Sequence, residues 1–160
     1  MATSVHMKCL EAIATRLQSL DLVGIADASI VAQWNPLTHR FQNTNGETPE
    51  LALPGIVIWP SGSEIIPPEA GTNYRDSIGY PCAVTIIATQ DMAALASDMD
   101  ARLVWRSRCI GAFRAQRLPN VPEVVQAFVE PQTIVDAAAW LQGFWSSSFL
   151  VRCNAREARG

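Results

Sequence analysis

The sequence predicts a single α+β domain spanning residues 1–160, and two adjoining segments carry that prediction. In residues 79–89 one alternating set is apolar from Tyr80 to Ala88, which is the period of a strand with one face on a core. Residues 91–118 repeat apolar side chains at helical spacing, so a long helix is expected after that strand. A chain of 160 residues is large enough to bury a core without disulfides or metals.

The other elements follow from the same two periodicities. Residues 4–20 carry apolar side chains at helical spacing, with Ser4 as the expected N-cap. Further strands are predicted at residues 29–34, 55–59 and 144–157, while residues 123–130 fit either a strand or a helical turn. The continuous apolar run 55–59 predicts a strand that is buried on both faces. Residues 133–142 fit either a short helix or irregular chain, and Gly143 ends that segment.

The long predicted helix has an apolar side and a basic side. The apolar stripe consists of Leu95, Met99, Leu103, Ile110 and Phe113. Asp98 and Arg102 have the spacing of an i, i+4 ion pair, which we expect on the exposed side of the helix. The basic side consists of Arg102, Arg106, Arg108, Arg114 and Arg117. It is predicted to be either a solvated helix face or a surface for phosphate or an acidic neighbour.

Composition argues against several classes of function. The net charge is −3 and 17% of the residues are charged, so a nucleic-acid-binding surface is not expected as the main role. The four cysteines are far apart in sequence, which gives no recognisable zinc pattern. Cys82, Cys109 and Cys153 fall within or next to apolar faces, which predicts buried thiols in a reducing compartment. No secretory signal or apolar run of membrane length is visible, so a soluble, cytosolic product is expected at synthesis.

No catalytic, cofactor-binding or metal site is predicted. Glu64 and Glu69 could suggest a pair of catalytic carboxylates, but they lie in a predicted loop with no histidine or metal-binding residue beside them. The sequence contains no P-loop, dinucleotide-binding or nucleophile-elbow motif. Residues 35–53 and 60–77 are predicted to be long loops, and loops of that length in a compact domain commonly carry function.

Three stretches of the sequence carry a resemblance to a known family. They read GIVIWPSGSEII at residues 55–66, TNYRDSIGYPCAVTIIA at residues 72–88 and FWSSSFLVRCNARE at residues 144–157. With these stretches the chain resembles the tail terminator proteins of tailed bacteriophages, of the lambda minor tail protein U type. The resemblance implies a mixed, largely antiparallel sheet packed by an N-terminal helix and one long central helix, with long partner-binding loops.

The resemblance also implies a structural protein of the virion, located in the tail or neck and made in the host cytoplasm. Members of this family form a hexameric ring that caps the tail tube, terminates its polymerisation and joins the tail to the head. The implied partners are other copies of the chain, the tail tube protein, a head–tail connector or stopper protein and, where one is present, the tail sheath. DNA is expected to pass through the lumen without specific binding, and neither a cofactor nor a membrane is implied.

The residues that we expect to contact partners lie in the two predicted long loops. They are Asn43 and Asn45 in the first loop, and Glu64, Glu69, Asn73, Tyr74, Arg75 and Asp76 in the second. We also expect that a long strand with an unpaired edge could pair with a neighbouring subunit. Two alternative functions stay open: another neck component, such as a head–tail connector or stopper, and a small ligand-binding domain or enzyme.

Overall fold

The computed structural model describes residues 4–32, 52–65, 75–90, 95–114 and 117–158. Within these residues the chain has the predicted α+β fold, with three α-helices and one five-stranded mixed sheet. The elements are α1 (Val5–Gln18), β1 (Ile30–Ala32), β2 (Gly55–Pro60), β3 (Arg75–Thr89), α2 (Leu95–Gly111), β4 (Val124–Pro131), α3 (Ala137–Leu141) and β5 (Phe144–Ala158). The strand order is β1-β2-β3-β5-β4, with β1 parallel to β2 and the other pairs antiparallel.

Helix α1 is confirmed together with its cap. The backbone N–H of Met7 donates to Ser4 Oγ at 3.3 Å, which satisfies one of the free donors of the first turn. Leu10, Ile13 and Leu17 are buried on one side of the helix, as their spacing predicts. This side packs on β1, β2 and β3, so α1 covers one face of the sheet.

Strands β3 and β5 form the centre of the sheet and pair along their whole length, from Arg75 opposite Ala158 to Thr89 opposite Phe144. The predicted alternation is confirmed, because the core on the helix side contains Tyr80, Cys82, Val84, Ile86, Ala88, Trp145, Phe149, Val151, Cys153 and Ala155. Both long strands are interior in the strand order, so neither is an edge strand. Strand β2 pairs only with residues 82–87 of β3, and within the described residues the other half of that side is contacted by Ile65 at Gly79 and by Ser61 at Pro81. Pairing of this half with a neighbouring subunit stays a prediction. Within the described residues the edges of the sheet are β1 and β4.

Strand β2 is buried on both faces, as predicted. Ile56 and Ile58 belong to the core on the helix side, whereas Val57 points to the opposite face and is also fully buried. Ala83 and Ile87 of β3 are buried on that opposite face as well. The middle of the sheet is therefore shielded from solvent on both sides.

Helix α2 ends earlier than predicted. Its last residue is Gly111, and residues 112–114 form a turn, so the predicted end at residue 118 is wrong. Glycine is a poor helix former, and here it stands where the helix gives way to the turn. The predicted start at residue 91 lies outside the described residues.

The orientation of α2 also differs from the prediction. Leu103, which was expected in the apolar stripe, is 43% exposed, while Arg102, expected on the exposed side, is only 4% exposed. Arg106 is buried too, and it shares the sheet-facing side with Phe113. The guanidinium carbons of Arg102 and Arg106 lie over aromatic rings of β5, each 5.9 Å from a ring centroid. Helix α2 therefore covers the same face of the sheet as α1.

The segment between β4 and β5 contains a short helix, which decides between the two predicted alternatives. Asp136 caps α3, and its carboxylate accepts hydrogen bonds from the backbone N–H groups of Ala138 and Ala139. Gly143 follows with φ +87, a left-handed conformation that favours glycine, and β5 begins at the next residue. None of the described helices is long and apolar enough to cross a membrane.

Candidate partner-binding surfaces

The structure describes only some of the predicted contact residues. Glu64 is exposed, and the next residue, Ile65, forms an antiparallel bridge with Gly79. The backbone N–H of Ile65 donates to the Gly79 carbonyl at 3.1 Å, and the N–H of Gly79 donates to the Ile65 carbonyl at 2.8 Å. The chain beside Glu64 is therefore held against β3. The other predicted contacts, Asn43, Asn45, Glu69, Asn73 and Tyr74, lie outside the described residues.

Arg75 and Asp76 correct the predicted second loop. Both were expected in a loop, but they are the first two residues of β3 and stand opposite Ala158 and Glu157 of β5. The polar sequence here does not alternate with apolar residues, and the strand forms because the equally polar end of β5 pairs with it. The sheet therefore holds these two residues in place.

A polar cluster of His6, Tyr80 and Glu157 joins α1 to β3 and β5. The hydroxyl of Tyr80 donates to a carboxylate oxygen of Glu157, and the ring of His6 stacks on Tyr80 with centroids 4.8 Å apart. Burial raises the pKa of Tyr80, and the carboxylates of Glu157 and Glu64 raise it further. Tyr80 is therefore a neutral hydrogen-bond donor at physiological pH. His6 is half-buried, and its Nε2 lies 3.2 Å from the Pro81 carbonyl oxygen.

All four cysteines are buried free thiols, which confirms the prediction for Cys82, Cys109 and Cys153 and adds Cys9. The nearby thiol of Cys153 and burial raise the pKa of Cys9, while burial raises the pKa of Cys109 to about 12. The thiol of Cys82 and burial likewise raise the pKa of Cys153. Cys9, Cys109 and Cys153 therefore stay protonated at neutral pH. Within the described part of the chain, no group of three or more His, Cys, Asp or Glu residues suits a metal ion.

Arg106 connects α2 to the β5 backbone and to the segment before α3. Its Nη1 donates to Ser147 Oγ at 2.7 Å, to the Ser148 carbonyl at 2.8 Å and to the Thr133 carbonyl at 3.3 Å. Its Nη2 donates to the Gln132 carbonyl at 3.3 Å. Burial lowers the pKa of Arg106, but an arginine stays charged in a protein, so carbonyl dipoles are what stabilise this cation.

Arg102 and Arg108 also bind backbone carbonyls. Of the predicted basic side, Arg102 and Arg106 are buried, whereas Arg108, Arg114 and Arg117 are exposed and the last two follow the end of α2, so the five arginines do not form one helix face. Nη2 of Arg102 donates to the Thr89 carbonyl at 2.7 Å and lies 3.5 Å from Oδ2 of Asp98, which confirms the i, i+4 pair although the arginine is buried. Arg108 is exposed and donates to the carbonyl of Leu20 at the end of α1. The sequence signal was present: residues 102 and 106 share a helix face with the buried Cys109 and Phe113.

A groove lies on the face of the sheet opposite α1 and α2, where β3, β5 and β4 run side by side. This β3–β5–β4 groove is a cavity of about 520 Å³ lined by Ile65, Ser77, Ile78, Gly79, Val125, Gln126, Phe128, Glu130, Arg152, Asn154, Ala155 and Arg156. Ile65, Val125 and Phe128 are large apolar side chains that are 46%, 41% and 42% exposed. The groove thus combines apolar walls with a polar floor.

Arginines supply the charge of the groove. Arg152 forms a two-point pair with Glu130, with Nε 2.6 Å from Oε1 and Nη2 3.2 Å from Oε2. This pairing raises the pKa of Arg152 and lowers that of Glu130. Within the described residues, Nη1 of Arg152 is buried without a hydrogen-bond partner. Arg156 adds a second, exposed cation. Because the charges of Arg152 and Glu130 cancel, the charged side chains that line the groove have one net positive charge.

Gly79 keeps room for Arg152 in the floor of this groove. A Cβ added at Gly79 would lie 3.2 Å from Oδ1 of Asn154 and 3.4 Å from Cδ of Arg152. A side chain here would press on both neighbours, so the glycine leaves room beside β3 for the Asn154 and Arg152 side chains of β5. The sequence does not predict the groove because its three strands are separate segments of the chain.

A second exposed apolar surface lies on the outer side of α2. Asp100, Leu103, Val104 and Ser107 are all exposed and follow one another at helical spacing, and we call them the α2 stripe. Leu103 and Val104 are 43% and 48% exposed. Gly111 continues the stripe, and the space around its Cα is open.

Comparison with known proteins adds no relative to these observations. No protein-family model matches the chain, and no curated protein matches it. A proposal about function therefore starts from the residues and surfaces described above.

Proposed function

We propose that the chain is a structural protein of a bacteriophage tail, with the role of a tail terminator. In this role several copies, six by the resemblance, form a ring that caps the tail tube, ends its polymerisation and joins the tail to the head connector. The observation that carries the proposal is the arrangement of the three stretches that resemble tail terminators. They contain β2, β3 and β5, which are adjacent strands of one sheet.

The proposed partners are other copies of the chain, the tail tube protein, a head–tail connector or stopper and, where present, a tail sheath. A net charge of −3 is consistent with DNA passing through the lumen without specific binding. Residues 64–76 are proposed to contact one of these partners. Both sides of this segment are anchored, because Ile65 is bridged to Gly79 and Arg75 is paired with Ala158.

We expect a replacement of residues 67–73 by an equal number of glycine and serine residues to leave the fold intact and to abolish docking to the tail tube. Equal length matters because the chain must run from Ile65, beside Gly79, back to the start of β3 at Arg75. Deleting seven residues would leave three peptide links for that distance, which span at most about 11 Å. Thermal unfolding would check the fold, and sedimentation with tail tubes would check docking.

A matched control replaces residues 132–135, between β4 and α3, with glycine and serine. This segment contains the exposed side chains of Ile134 and Val135, which are outside the proposed contact region. If the 67–73 replacement caps tubes as well as the unchanged protein does, the proposed contact at residues 64–76 is wrong.

The first test of the proposed function is the mass of the purified protein by light scattering, combined with negative-stain images. A six-membered ring, or a monomer that forms rings on added tail tubes, is the expected result. A monomer or dimer that is indifferent to tubes would contradict the proposal and favour a ligand-binding domain or enzyme. Another neck component would give a ring at a different position or copy number in the particle.

A further inference from the structure

The molecule exposes two apolar surfaces on opposite faces of its sheet. The α2 stripe lies on the outer side of the helix that covers Trp145 and Phe149. The β3–β5–β4 groove lies on the other face, because Arg152 and Asn154 alternate with the core-facing Val151 and Cys153. Since the surfaces face away from each other, one copy of the chain cannot bring its own stripe into its own groove.

The two surfaces are complementary in shape and in charge. The stripe is convex, with Leu103 and Val104 projecting from a helix, whereas the groove is concave and walled by Phe128 and Val125. The stripe carries the carboxylate of Asp100, and the groove carries an excess of arginine charge at Arg152 and Arg156. Apolar contact would remove exposed Leu, Val and Phe side chains from water, and the opposite charges would fix the register.

We propose that the α2 stripe of one copy packs into the β3–β5–β4 groove of the next copy. The inference rests on the proposed function, because it supplies the contact between ring subunits. Two different surfaces meet, so the contact is head-to-tail: it continues from copy to copy and closes into a ring when the rotation allows. A contact between two identical stripes would instead end at a dimer. Asp100 of one copy faces the cations of the groove, of which Arg156 is the exposed one.

Cross-linking between engineered cysteines tests this contact. The native thiols are all buried, so the unchanged protein should not react with a short bis-maleimide. Val104→Cys and Phe128→Cys each add one accessible thiol, in the stripe and in the groove. When the two variants are mixed, with an affinity tag on one so that products are distinguished, we expect a mixed cross-linked dimer. Each variant alone should give little product, because its partner surface lacks a thiol.

The matched control pairs Val104→Cys with Leu141→Cys. Leu141 is 88% exposed, so its thiol would be at least as accessible as one at position 128. It lies before β5, about 30 Å along that strand from Asn154 in the groove. We expect about tenfold more product from the 104–128 pair than from the 104–141 pair, because the contact raises the local thiol concentration.

Charge reversal gives an independent readout. Asp100→Arg should lower the yield of the 104–128 product about tenfold by placing a cation against Arg152 and Arg156, and Arg156→Glu in the other partner should restore much of it. All reactions are run under the condition that yields rings, whether in solution or on added tubes. Rings with equal yields from both pairs, or a product from Val104→Cys alone, overturn this contact and leave the proposed function standing. Absence of both rings and product under every condition overturns the two together.

Discussion

Replacing Arg106 with alanine lowers the free energy of unfolding by about 3 kcal/mol, if its buried hydrogen bonds hold α2 on the sheet. The guanidinium donates to Ser147 Oγ and to the carbonyls of Gln132, Thr133 and Ser148. Removing it takes a donor from Ser147 Oγ and from the Ser148 carbonyl, and a buried acceptor left without a donor costs about 1–3 kcal/mol. The Thr133 carbonyl still accepts from the backbone N–H of Ser148, and Gln132 is exposed to water. The alanine variant no longer buries a charged guanidinium, so the free-energy cost of removing that group from water disappears. The expected loss is therefore well below the summed cost of the acceptors that lose their donor.

Urea denaturation measures this change, and an unaltered m-value would show that the transition still exposes the same surface. Arg106→Lys keeps the charge but presents a compact ammonium, so we expect it to lose part of the stability and not restore the whole network. Arg108→Ala is the matched control on the same helix. It removes an exposed hydrogen bond to Leu20 and should cost less than about 1 kcal/mol. Equal losses for the alanine variants at 106 and 108 would contradict the role given to Arg106.

Replacing Trp145 with alanine is expected to have the second large effect, a loss of about 3–5 kcal/mol in the free energy of unfolding. Trp145 is among the largest fully buried side chains and lies under the guanidinium of Arg102. Alanine would leave a cavity where α2 meets the start of β5. Protein interiors are closely packed, so we expect α2 and β5 to relax only partly and the cavity to remain.

Trp145→Phe separates packing from hydrogen bonding at this site. Within the described residues, Nε1 of Trp145 has no hydrogen-bond partner, so phenylalanine loses volume but no hydrogen bond. It also keeps an aromatic face beneath Arg102, and we expect less than half the cost of the alanine variant. Thermal or urea unfolding gives both values. If phenylalanine costs as much as alanine, the indole nitrogen makes a contact that the described residues do not contain.

The sequence predicts the fold well where the pattern is set by burial alone. Helix α1 and the segments of β3 and β5 in which apolar and polar residues alternate were predicted, because one side of each element packs on the same core. The orientation of α2 was not predicted, because an arginine counts as polar in any periodicity. Arg102 and Arg106 are buried nonetheless, since carbonyls and aromatic rings on other elements accept their guanidinium groups.

The candidate surfaces were harder to predict than the fold. The β3–β5–β4 groove needs Gly79, Phe128 and Arg152 side by side, and only the strand order 3-5-4 brings them together. Arg75 and Asp76 were assigned to a loop because their strand character comes from pairing with β5, which is remote in sequence. Local sequence shows which residues can be buried, but pairing between distant strands decides which exposed residues become neighbours.

The pairing of β3 with β5 also determines the order in which the protein can fold during synthesis. Between these strands the chain makes α2, β4 and α3, so β3 leaves the ribosome long before its central partner exists. Until β5 is synthesised, the edge of β3 that later pairs with β5 is unpaired, and the apolar side chains of Val84 and Ile86 are not covered by the complete core. This state favours aggregation. Closure should begin where Thr89 meets Phe144, because that pair encloses the shortest loop, and then proceed towards Arg75 and Ala158. Contacts this remote in sequence predict slow folding, in milliseconds to seconds, so a chaperone that covers β3 during that interval would raise the yield of native protein.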